Sequence, residues 1–377
     1  MKKISVFICV NLWLIFFSFS VTAQEFKTMQ DGIEYAEITR EIDKLPVKMN
    51  LLRLDLTKVR LDVVHAMDAA IGVEKTSSIA TRHGAFAAIN AGFFRIDGSI
   101  FTGDSAGVLV VNNEFYSESY AGRVALMIDN NSARTRVSIE KSHINDFIEL
   151  NGKTFDVGRN RERKNDDLVL FSNNFNYTTL TNNNGIEFFI ENSKIVKIVD
   201  QKGSNKIPRD GYILSASGKM REELMILMPI GTKIIHFVKQ SSTTNSSEGS
   251  LFRSAEDIVS GVPQLIKNGK IEITWEQEKS NKSFIETKHP RTAVAKLKDG
   301  KFLMVTVDGR SEESGGISLP DLAAFLLEIG AVDAMNLDGG GSTTMFLDGK
   351  IVNKPSDKEG ERKVSDAILV FPRVKKN

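Results

Sequence analysis

The stretch Asp333-Ala334-Met335-Asn336-Leu337-Asp338-Gly339-Gly340-Gly341-Ser342-Thr343-Thr344 lies near the C-terminal end of a chain of 377 residues. An apolar-rich run before Asp338 and a second one after Thr344 predict two strands joined by a turn. Three consecutive glycines remove every Cβ, so the backbone can approach a ligand closely and φ can be positive. Asn336 and Asp338 are two residues apart, which on a strand places both side chains on one side. A flexible glycine linker is the alternative, but linkers are seldom set between two strand-like runs.

The N-terminus has the pattern of a secretory signal peptide. Lys2 and Lys3 precede an apolar run, residues 6–19, and Val21 and Ala23 supply the small residues of a cleavage site. The alternative, a membrane anchor, needs a longer run of about 20 residues. We therefore predict a signal peptide, residues 1–23, cleaved after Ala23, and a secreted or periplasmic protein that does not span the membrane after cleavage.

The composition beyond this segment is that of a soluble globular protein, with 41% hydrophobic and 26% charged residues in the whole chain. Without residues 1–23 the chain has 47 basic and 48 acidic residues, a net charge of −1. This balance gives no indication of nucleic-acid binding. The single cysteine, Cys9, lies in the signal peptide, so the mature chain is expected to have no disulfide and no cysteine metal site.

Short strands dominate the rest of the chain, with few helices. Helices are predicted over residues 76–83, with Ser77 or Thr76 as the cap, and over residues 318–330, capped by Ser318 and closed by Gly330. The polar tract 241–250 is predicted to be a surface loop. The predicted fold class is α+β, a mixed or antiparallel twisted β-sheet core with flanking helices in a single large catalytic domain. N-terminal strands within residues 24–80 are expected to pack on this main domain, residues 81–373.

Several predicted strands end in polar residues beside glycine, where a rigid sheet commonly presents a site. These junctions are Asn90-Ala91-Gly92, Asp308-Gly309-Arg310 and the opening stretch, with Thr102-Gly103-Asp104 and His289-Pro290-Arg291-Thr292 as further candidates. The sequence has no G-x-S-x-G, no H-E-x-x-H, no G-K-[ST] after the glycines and no G-x-G-x-x-G. Serine-nucleophile, zinc and nucleotide P-loop chemistry are therefore disfavoured.

The remaining residue types favour carboxylate chemistry assisted by cations. Two acids, one protonating a leaving oxygen and the other attacking or activating water, describe glycoside cleavage. Arg291 and Arg310 are suited to bidentate recognition of a phosphate or carboxylate. Backbone amides of residues 339–341 could bind the same anion. A ligand that contains both a sugar and a phosphate would need this combination.

In this order, Asn90-Ala91-Gly92-Phe93-Phe94, Pro290-Arg291-Thr292-Ala293, Val307-Asp308-Gly309-Arg310 and Asn336-Leu337-Asp338-Gly339-Gly340-Gly341-Ser342 resemble the phosphodiester glycosidase family, across about residues 30–372. The family includes the animal uncovering enzyme, which removes N-acetylglucosamine from phosphodiester-capped mannose. The resemblance implies hydrolysis of the bond between a sugar's anomeric carbon and a phosphodiester oxygen. Unlike the animal enzyme, this chain has no mature cysteines and no cysteine-rich tail module, so a cell-envelope or host glycan is expected as the substrate.

Two sets of site residues follow from the resemblance. The catalytic candidates are Asp308, Asp338 and Asn336, with either aspartate as acid/base or nucleophile. The substrate-binding candidates are Asn90, Asp104, Arg291, Arg310, Gly339, Gly340, Gly341, Ser342 and Thr343. No cofactor is predicted with certainty, although a divalent cation at Asp104, Asp308 or Asp338 is compatible with the pattern. The alternative is a non-catalytic glycan- or anion-binding module of the cell envelope, which would favour aromatic platforms such as Phe93, Phe94 and Trp275.

Overall fold

The computed structural model describes residues 25–131, 133–242 and 254–373, with only the backbone of 241 and 242. The predicted signal peptide and almost all of the predicted loop 241–250 lie outside these residues. Within them, no helix is long and apolar enough to cross a membrane.

Strands are the main regular structure of the described chain. The first nine are β1 (Lys27–Gln30), β2 (Ile33–Ile42), β3 (Leu45–Leu54), β4 (Val59–His65), β5 (Glu74–Lys75), β6 (Ala87–Asn90), β7 (Leu109–Val111), β8 (Glu114–Ser117) and β9 (Val124–Asp129). The next seven are β10 (Arg136–Leu150), β11 (Lys153–Arg159), β12 (Leu168–Ser172), β13 (Ile186–Glu191), β14 (Lys194–Asp200), β15 (Gly211–Ala216) and β16 (Ile235–Ser242). The last ten are β17 (Asp257–Ser260), β18 (Gln264–Lys267), β19 (Lys270–Ile271), β20 (Arg291–Leu297), β21 (Phe302–Val307), β22 (Ala331–Asn336), β23 (Met345–Leu347), β24 (Lys350–Ile351), β25 (Lys363–Val364) and β26 (Asp366–Pro372).

These strands form three large sheets and one two-stranded ribbon, β25-β5. The strand orders are β1-β2-β3-β21-β20-β22-β18-β19, β24-β23-β6-β26-β4, and β14-β13-β15-β12-β11-β10-β9-β17-β7-β8 with β16 pairing β10. All described strand pairs are antiparallel except β11 with β12. The sequence prediction of a mixed or antiparallel sheet core is therefore confirmed.

Within the described residues, four α-helices with defined bounds flank the sheets: α1 (Thr76–His83), α2 (Gly218–Leu227), α3 (Lys282–Glu286) and α4 (Leu319–Glu328). Helix α4 begins as predicted, because the Ser318 hydroxyl accepts the Asp321 amide and donates to its carboxylate. Helix α1 has the predicted range but not the predicted Ser77 or Thr76 cap, since Lys75 occupies that position. Glu361 instead accepts the Ser77 amide from a distant loop. Helices α2 and α3 were not predicted.

The core lies on both faces of the eight-stranded sheet. One face packs against α4 through residues such as Leu303 and Leu326, which are fully buried. The other face packs against the five-stranded sheet and β9 through residues such as Met304, Ile89 and Leu126. Alternating inward and outward side chains on each strand make this arrangement possible. Helix α1 covers the outer face of the five-stranded sheet.

This layering brings the polar strand ends to one edge of the molecule. Arg291, at the start of β20, pairs with Val307, at the end of β21. Asn336, at the end of β22, pairs with Ala293. In the facing sheet, Asn90 at the end of β6 pairs with Ala367 near the start of β26. Residues far apart in sequence therefore meet where these two sheets come together.

Candidate active site

The glycine turn, residues 338–343, is at the centre of this edge. Strand β22 ends at Asn336, and Gly340–Ser342 form one turn of 3-10 helix. The Gly339 amide donates to the carboxylate of the preceding residue, Asp338, at 2.9 Å. The Gly340 amide donates to the Pro290 carbonyl at 2.8 Å. The expectation that residues 339–341 offer three free amides to an anion is therefore wrong for two of them, because the turn uses those amides internally.

Close approach of charged side chains explains the glycines better. A methyl group on Gly341 would lie 2.2 Å from Arg362 Nη2 and 2.3 Å from Asp357 Oδ1. A methyl group on Gly340 would lie 3.0 Å from Arg310 Nη2, and the backbone there has a φ of +62°. Both positions thus require glycine, one for space and one for conformation.

Two asparagines fix the turn from below. Asn90 is fully buried; its amide donates to the Asp338 carbonyl at 2.7 Å, and its carbonyl accepts the Thr344 amide at 3.1 Å. The amide of Asn336 donates to the carbonyls of Val262 at 2.7 Å and of Leu337 at 2.8 Å. Both asparagines therefore hold the backbone in place.

The predicted side-by-side display of Asn336 and Asp338 is not found. The strand ends at Asn336, so the period of two no longer applies to Asp338, which lies beyond it in the turn. Buried Asn336 Oδ1 has no hydrogen-bond partner among the described residues. Such an atom marks a point where a water or ligand can complete the site.

Arg291 is the most unusual group at this edge. It is 1% exposed, and its guanidinium donates to the carbonyls of Ile317, Phe284 and Thr287 at 3.2, 2.7 and 2.8 Å. The guanidinium also lies over the Phe284 ring, 4.8 Å from its centroid. No carboxylate of the described residues pairs with it, although buried charges are normally paired.

Two more cationic or ionisable groups accompany Arg291, and the three together are called the cationic face: His289, Arg291 and Arg310. Burial and Arg310 lower the pKa of Arg291 to about 10. Burial and both arginines lower the pKa of His289. Arg310 is exposed and has a φ of +62°, and its guanidinium donates to the Ser356 hydroxyl at 3.3 Å. The mutual repulsion within this face would be relieved by a bound anion.

Asp338 is the first residue of the glycine turn. Protein surrounds its carboxylate, but the residue remains partly exposed to solvent. Burial raises its pKa to about 6, and the negative charge of Asp366 adds to the effect. The nearby Ser342 hydroxyl, the Gly339 amide and Arg362 act in the opposite direction. Asp338 therefore titrates close to neutral pH, as suits a group that exchanges protons during a reaction.

Asp308 is held on the other side of the turn. It is 6% exposed, its carboxylate accepts the Lys354 amide at 3.1 Å, and burial raises its pKa. Asn353, whose side chain lowers that pKa, in turn donates to the Thr343 carbonyl at 3.0 Å. Asp308 and Asp338 thus border the same turn, Asp308 through Asn353 and Asp338 through Ser342, without a direct hydrogen bond between them.

Three site residues were missed by sequence reasoning. Asp357 and Arg362 form a two-bond ion pair, at 2.7 and 3.0 Å, against Gly341. Asp366 is fully buried and accepts the Gly92 amide at 2.5 Å and the Ser365 hydroxyl at 2.7 Å. An acidic residue opening an apolar strand was a usable signal for Asp366. Nothing in the polar run 353–363 distinguished the ion pair from a solvated loop.

Asp104 does not join this group. Its charged neighbours are Glu118, Arg161, Arg95 and Glu162, none of which touches the glycine turn. Asp104 lies before β7 in the chain and lines a cavity that includes no residue of the glycine turn.

The described part of the chain holds no group of three His, Cys, Asp or Glu side chains arranged to bind a metal ion. The site geometry therefore gives no support to the divalent cation expected at Asp104, Asp308 or Asp338.

Comparison with known proteins agrees with this geometry. Residues 184–371 match the family model described as phosphodiester glycosidase. The chain belongs to this family.

The relatives share the fold over different lengths. The mouse N-acetylglucosamine-1-phosphodiester alpha-N-acetylglucosaminidase is 30% identical over 157 residues, 39% of this chain and 29% of that protein. The chain thus matches less than a third of the mouse enzyme's length. A hypothetical protein from Synechocystis superposes with a TM-score of 0.78 at 21% identity, covering 94% of this chain and 64% of that one. The zebrafish enzyme's catalytic domain, auto-inhibited by its pro-peptide, superposes with a TM-score of 0.51 at 16% identity, covering 93% and 87%.

Proposed function

We propose that the protein is an exported glycoside hydrolase that cleaves the bond between a sugar's anomeric carbon and a phosphodiester oxygen, with an N-acetylglucosamine-1-phosphodiester-like substrate. The observation that carries the proposal is Arg291, a buried arginine beside the glycine turn that pairs with no carboxylate of the described residues. A buried cation of this kind is stabilised when an anion occupies the space beside it.

The cationic face supplies the recognition of phosphate. A phosphodiester carries a single negative charge, and a planar guanidinium can bind two of its oxygens at once. Arg291 is pre-oriented by three backbone carbonyls, so little side-chain entropy is lost on binding. Exposed Arg310 can then approach the phosphate from the solvent side.

Half-buried aromatic side chains give this face an apolar wall. Phe93 and Phe284 pack edge to face with ring centroids 6.0 Å apart, and the Phe284 ring also carries the Arg291 guanidinium. The apolar face of a pyranose ring packs well on such a surface. A sugar ring beside Phe93 and its phosphate beside Arg291 would present the anomeric carbon to the turn.

Asp338 is assigned the reaction itself. Its carboxylate either takes a proton from a water whose oxygen bonds to the anomeric carbon, or itself bonds to that carbon and forms a glycosyl ester that water then hydrolyses to the free sugar. In either route the bond between the anomeric carbon and the phosphate oxygen breaks, and its electron pair leaves with that oxygen. Because a phosphate monoester is a good leaving group already paired with arginines, a strong general acid is not needed. Asp308 acts as a positioning residue, since it holds the segment 353–354 against the turn.

The test is release of free sugar by the mature protein from UDP-N-acetylglucosamine, UDP-glucose and UDP-galactose, measured for wild type, Asp338→Asn and Asp308→Asn. We expect turnover of at least one substrate, loss of at least about 1,000-fold in Asp338→Asn, and a smaller loss in Asp308→Asn. Turnover at the wild-type rate in both variants contradicts the assignment. No turnover on the panel, together with binding that survives in both variants, supports the glycan- or anion-binding module instead.

A further inference from the structure

A cavity of about 260 Å³ lies away from the glycine turn and is called the β7–β9 cavity. Its lining is mostly apolar in surface, with charged and hydroxyl groups among its residues, and comes from the segments on either side of β7, β8 and β9. The lining residues used below are Asp104, Ser105, Glu118, Tyr120, Arg123 and Arg161. Its volume is below the roughly 300–1,000 Å³ of pockets for drug-sized ligands, so it suits a ligand about the size of one sugar ring.

Two opposite charges line this cavity without meeting. The Asp104 carboxylate has no hydrogen-bond or ion-pair partner among the described residues, and burial raises its pKa to about 7. Arg123 donates one N–H to the Ala106 carbonyl at 2.8 Å, but it pairs with no carboxylate, and its buried Nε has no partner within the described chain. Partly buried charges of opposite sign usually form an ion pair when they can reach each other. Asp104 and Arg123 both line the cavity.

Glu118, another lining group, is already satisfied. Glu118 accepts Arg161 Nε at 2.9 Å and the Arg159 amide at 2.6 Å. The Ser105 hydroxyl is buried without a partner in the described structure. The unsatisfied groups are thus one acceptor, one cationic donor and one hydroxyl, which together carry no net charge when Asp104 is ionised.

An aromatic ring stands at the edge of the cavity. Tyr120 is 51% exposed, and its ring lies 4.7 Å from the Arg123 guanidinium. A half-exposed tyrosine beside this cavity offers a flat apolar surface with a polar tip.

We propose that the β7–β9 cavity is a second binding site that takes a neutral sugar unit. Sugar hydroxyls both donate and accept, so neighbouring hydroxyls can satisfy Asp104 and Arg123 at the same time. Tyr120 packs against the ring face. A free anion would leave Asp104 unpaired, and a free cation would leave Arg123 unpaired.

A neighbouring cavity of about 300 Å³ shares Glu118, Ser119 and Arg161 with it and extends to Asn145 and Asp156. A chain of sugar units could therefore contact residues of both cavities. The site would hold the protein on a glycan polymer independently of any cleavage at the glycine turn.

The experiment is calorimetric titration of the mature protein with neutral oligosaccharides that lack phosphate: diacetylchitobiose, cellotriose, maltotriose and mannotriose. Because these probes contain no phosphodiester, the result does not depend on the proposed hydrolase activity. We expect binding of at least one probe, weakened at least tenfold in Asp104→Ala and in Tyr120→Ala. Asp97→Ala is the matched control, since it removes an exposed carboxylate from the same hairpin and should leave the affinity unchanged.

Loss of binding in these variants should not result from misfolding. Asp104→Ala removes a largely buried carboxylate without a partner, so its melting temperature should not fall, and the exposed Tyr120 tests the cavity separately. Absence of binding to all four probes overturns the proposal. Equal affinity in wild type and both cavity variants also overturns it, as does binding of glycine or inorganic phosphate in place of the sugars.

Discussion

At the residue scale, the site is distinguished by a buried charge, Arg291, that has no carboxylate partner among the described residues. Some buried charged groups in the described chain form ion pairs, as Arg159 does with Asp146 at 2.6 Å. Arg291 is held only by carbonyl oxygens, which orient it and leave its charge uncompensated. Such an arrangement lowers stability in the free protein and is repaid when an anion binds.

Arg291→Lys tests this directly. Lysine retains the charge but loses the planar fork, so it cannot satisfy three carbonyls and a phosphate together. We expect KM for a UDP-sugar to rise roughly 10- to 100-fold, equivalent to about 1.5–3 kcal/mol for a charged hydrogen bond. Steady-state kinetics on the purified variant measures it. Arg53→Lys, at a distant ion pair with Glu34, is the control, and an equal effect in both variants would refute the role of Arg291.

The raised pKa of Asp338 predicts where activity falls on the acid side of the pH profile. Its pKa is raised to about 6, so if the carboxylate is the reacting form, kcat/KM is full above this value and falls as pH drops through it. The same shift means that the folded state binds this proton more tightly than the unfolded state. The stability from this group is present below pH 4 and is lost as pH rises from about 4 to 6.

The check is a pair of measurements on Asp338→Asn. Its residual activity should lack the limb near pH 6, and its melting temperature at pH 7.5 should equal or exceed that of the wild type. A limb that persists in the variant would assign the titration to another group.

At the scale of elements, the antiparallel pairing of neighbouring strands makes the position of the site predictable. Asn90, Arg291, Asp308 and Asp338 all lie at strand ends next to glycine or proline, and the structure brings them to one edge. Asp366 was not predictable in the same way, because its place depends on β26 lying between β6 and β4, an order that no local pattern encodes. Asp104 has the same local pattern, a polar residue beside glycine, but the structure places it in the β7–β9 cavity and not at this edge.

The glycine turn yields a prediction about packing. Gly341→Ala would force a methyl group against the Asp357–Arg362 pair, which must then move by about 1 Å or more. Since misplacement on this scale can cost about 100-fold in rate, we expect a loss of that order in kcat/KM with the fold retained. Gly315→Ala is the matched control, because its methyl group would meet only the flexible Leu45 side chain, at 3.2 Å. Equal activity of the two variants would contradict the packing role.

On the scale of the whole molecule, two facing sheets create the site, and neither sheet contains it alone. Arg291, Asp308 and Asp338 follow the eight-stranded sheet, whereas Asn90 and Asp366 belong to the five-stranded one. Buried apolar side chains between the sheets fix their relative position. The fold class could be predicted from strand patterns, but the facing of these sheets depends on tertiary packing that the patterns do not specify.

Export is a prediction that also belongs to the scale of the whole chain. The signal pattern predicts that the mature protein begins at Gln24. Mass spectrometry of the protein recovered from a secreting bacterial host should give a mass that lacks residues 1–23. A full-length product retained in the membrane fraction would favour the anchor alternative.

The most direct test of the central claim is which bond to the bridging oxygen is cleaved. Hydrolysis of UDP-N-acetylglucosamine in water enriched in oxygen-18, followed by phosphorus NMR and mass spectrometry, distinguishes the two. Cleavage at the anomeric carbon predicts UDP as the product, with no oxygen-18 in its phosphates. Oxygen-18 in the β-phosphate of the released UDP would show attack at phosphorus and contradict a glycosidase.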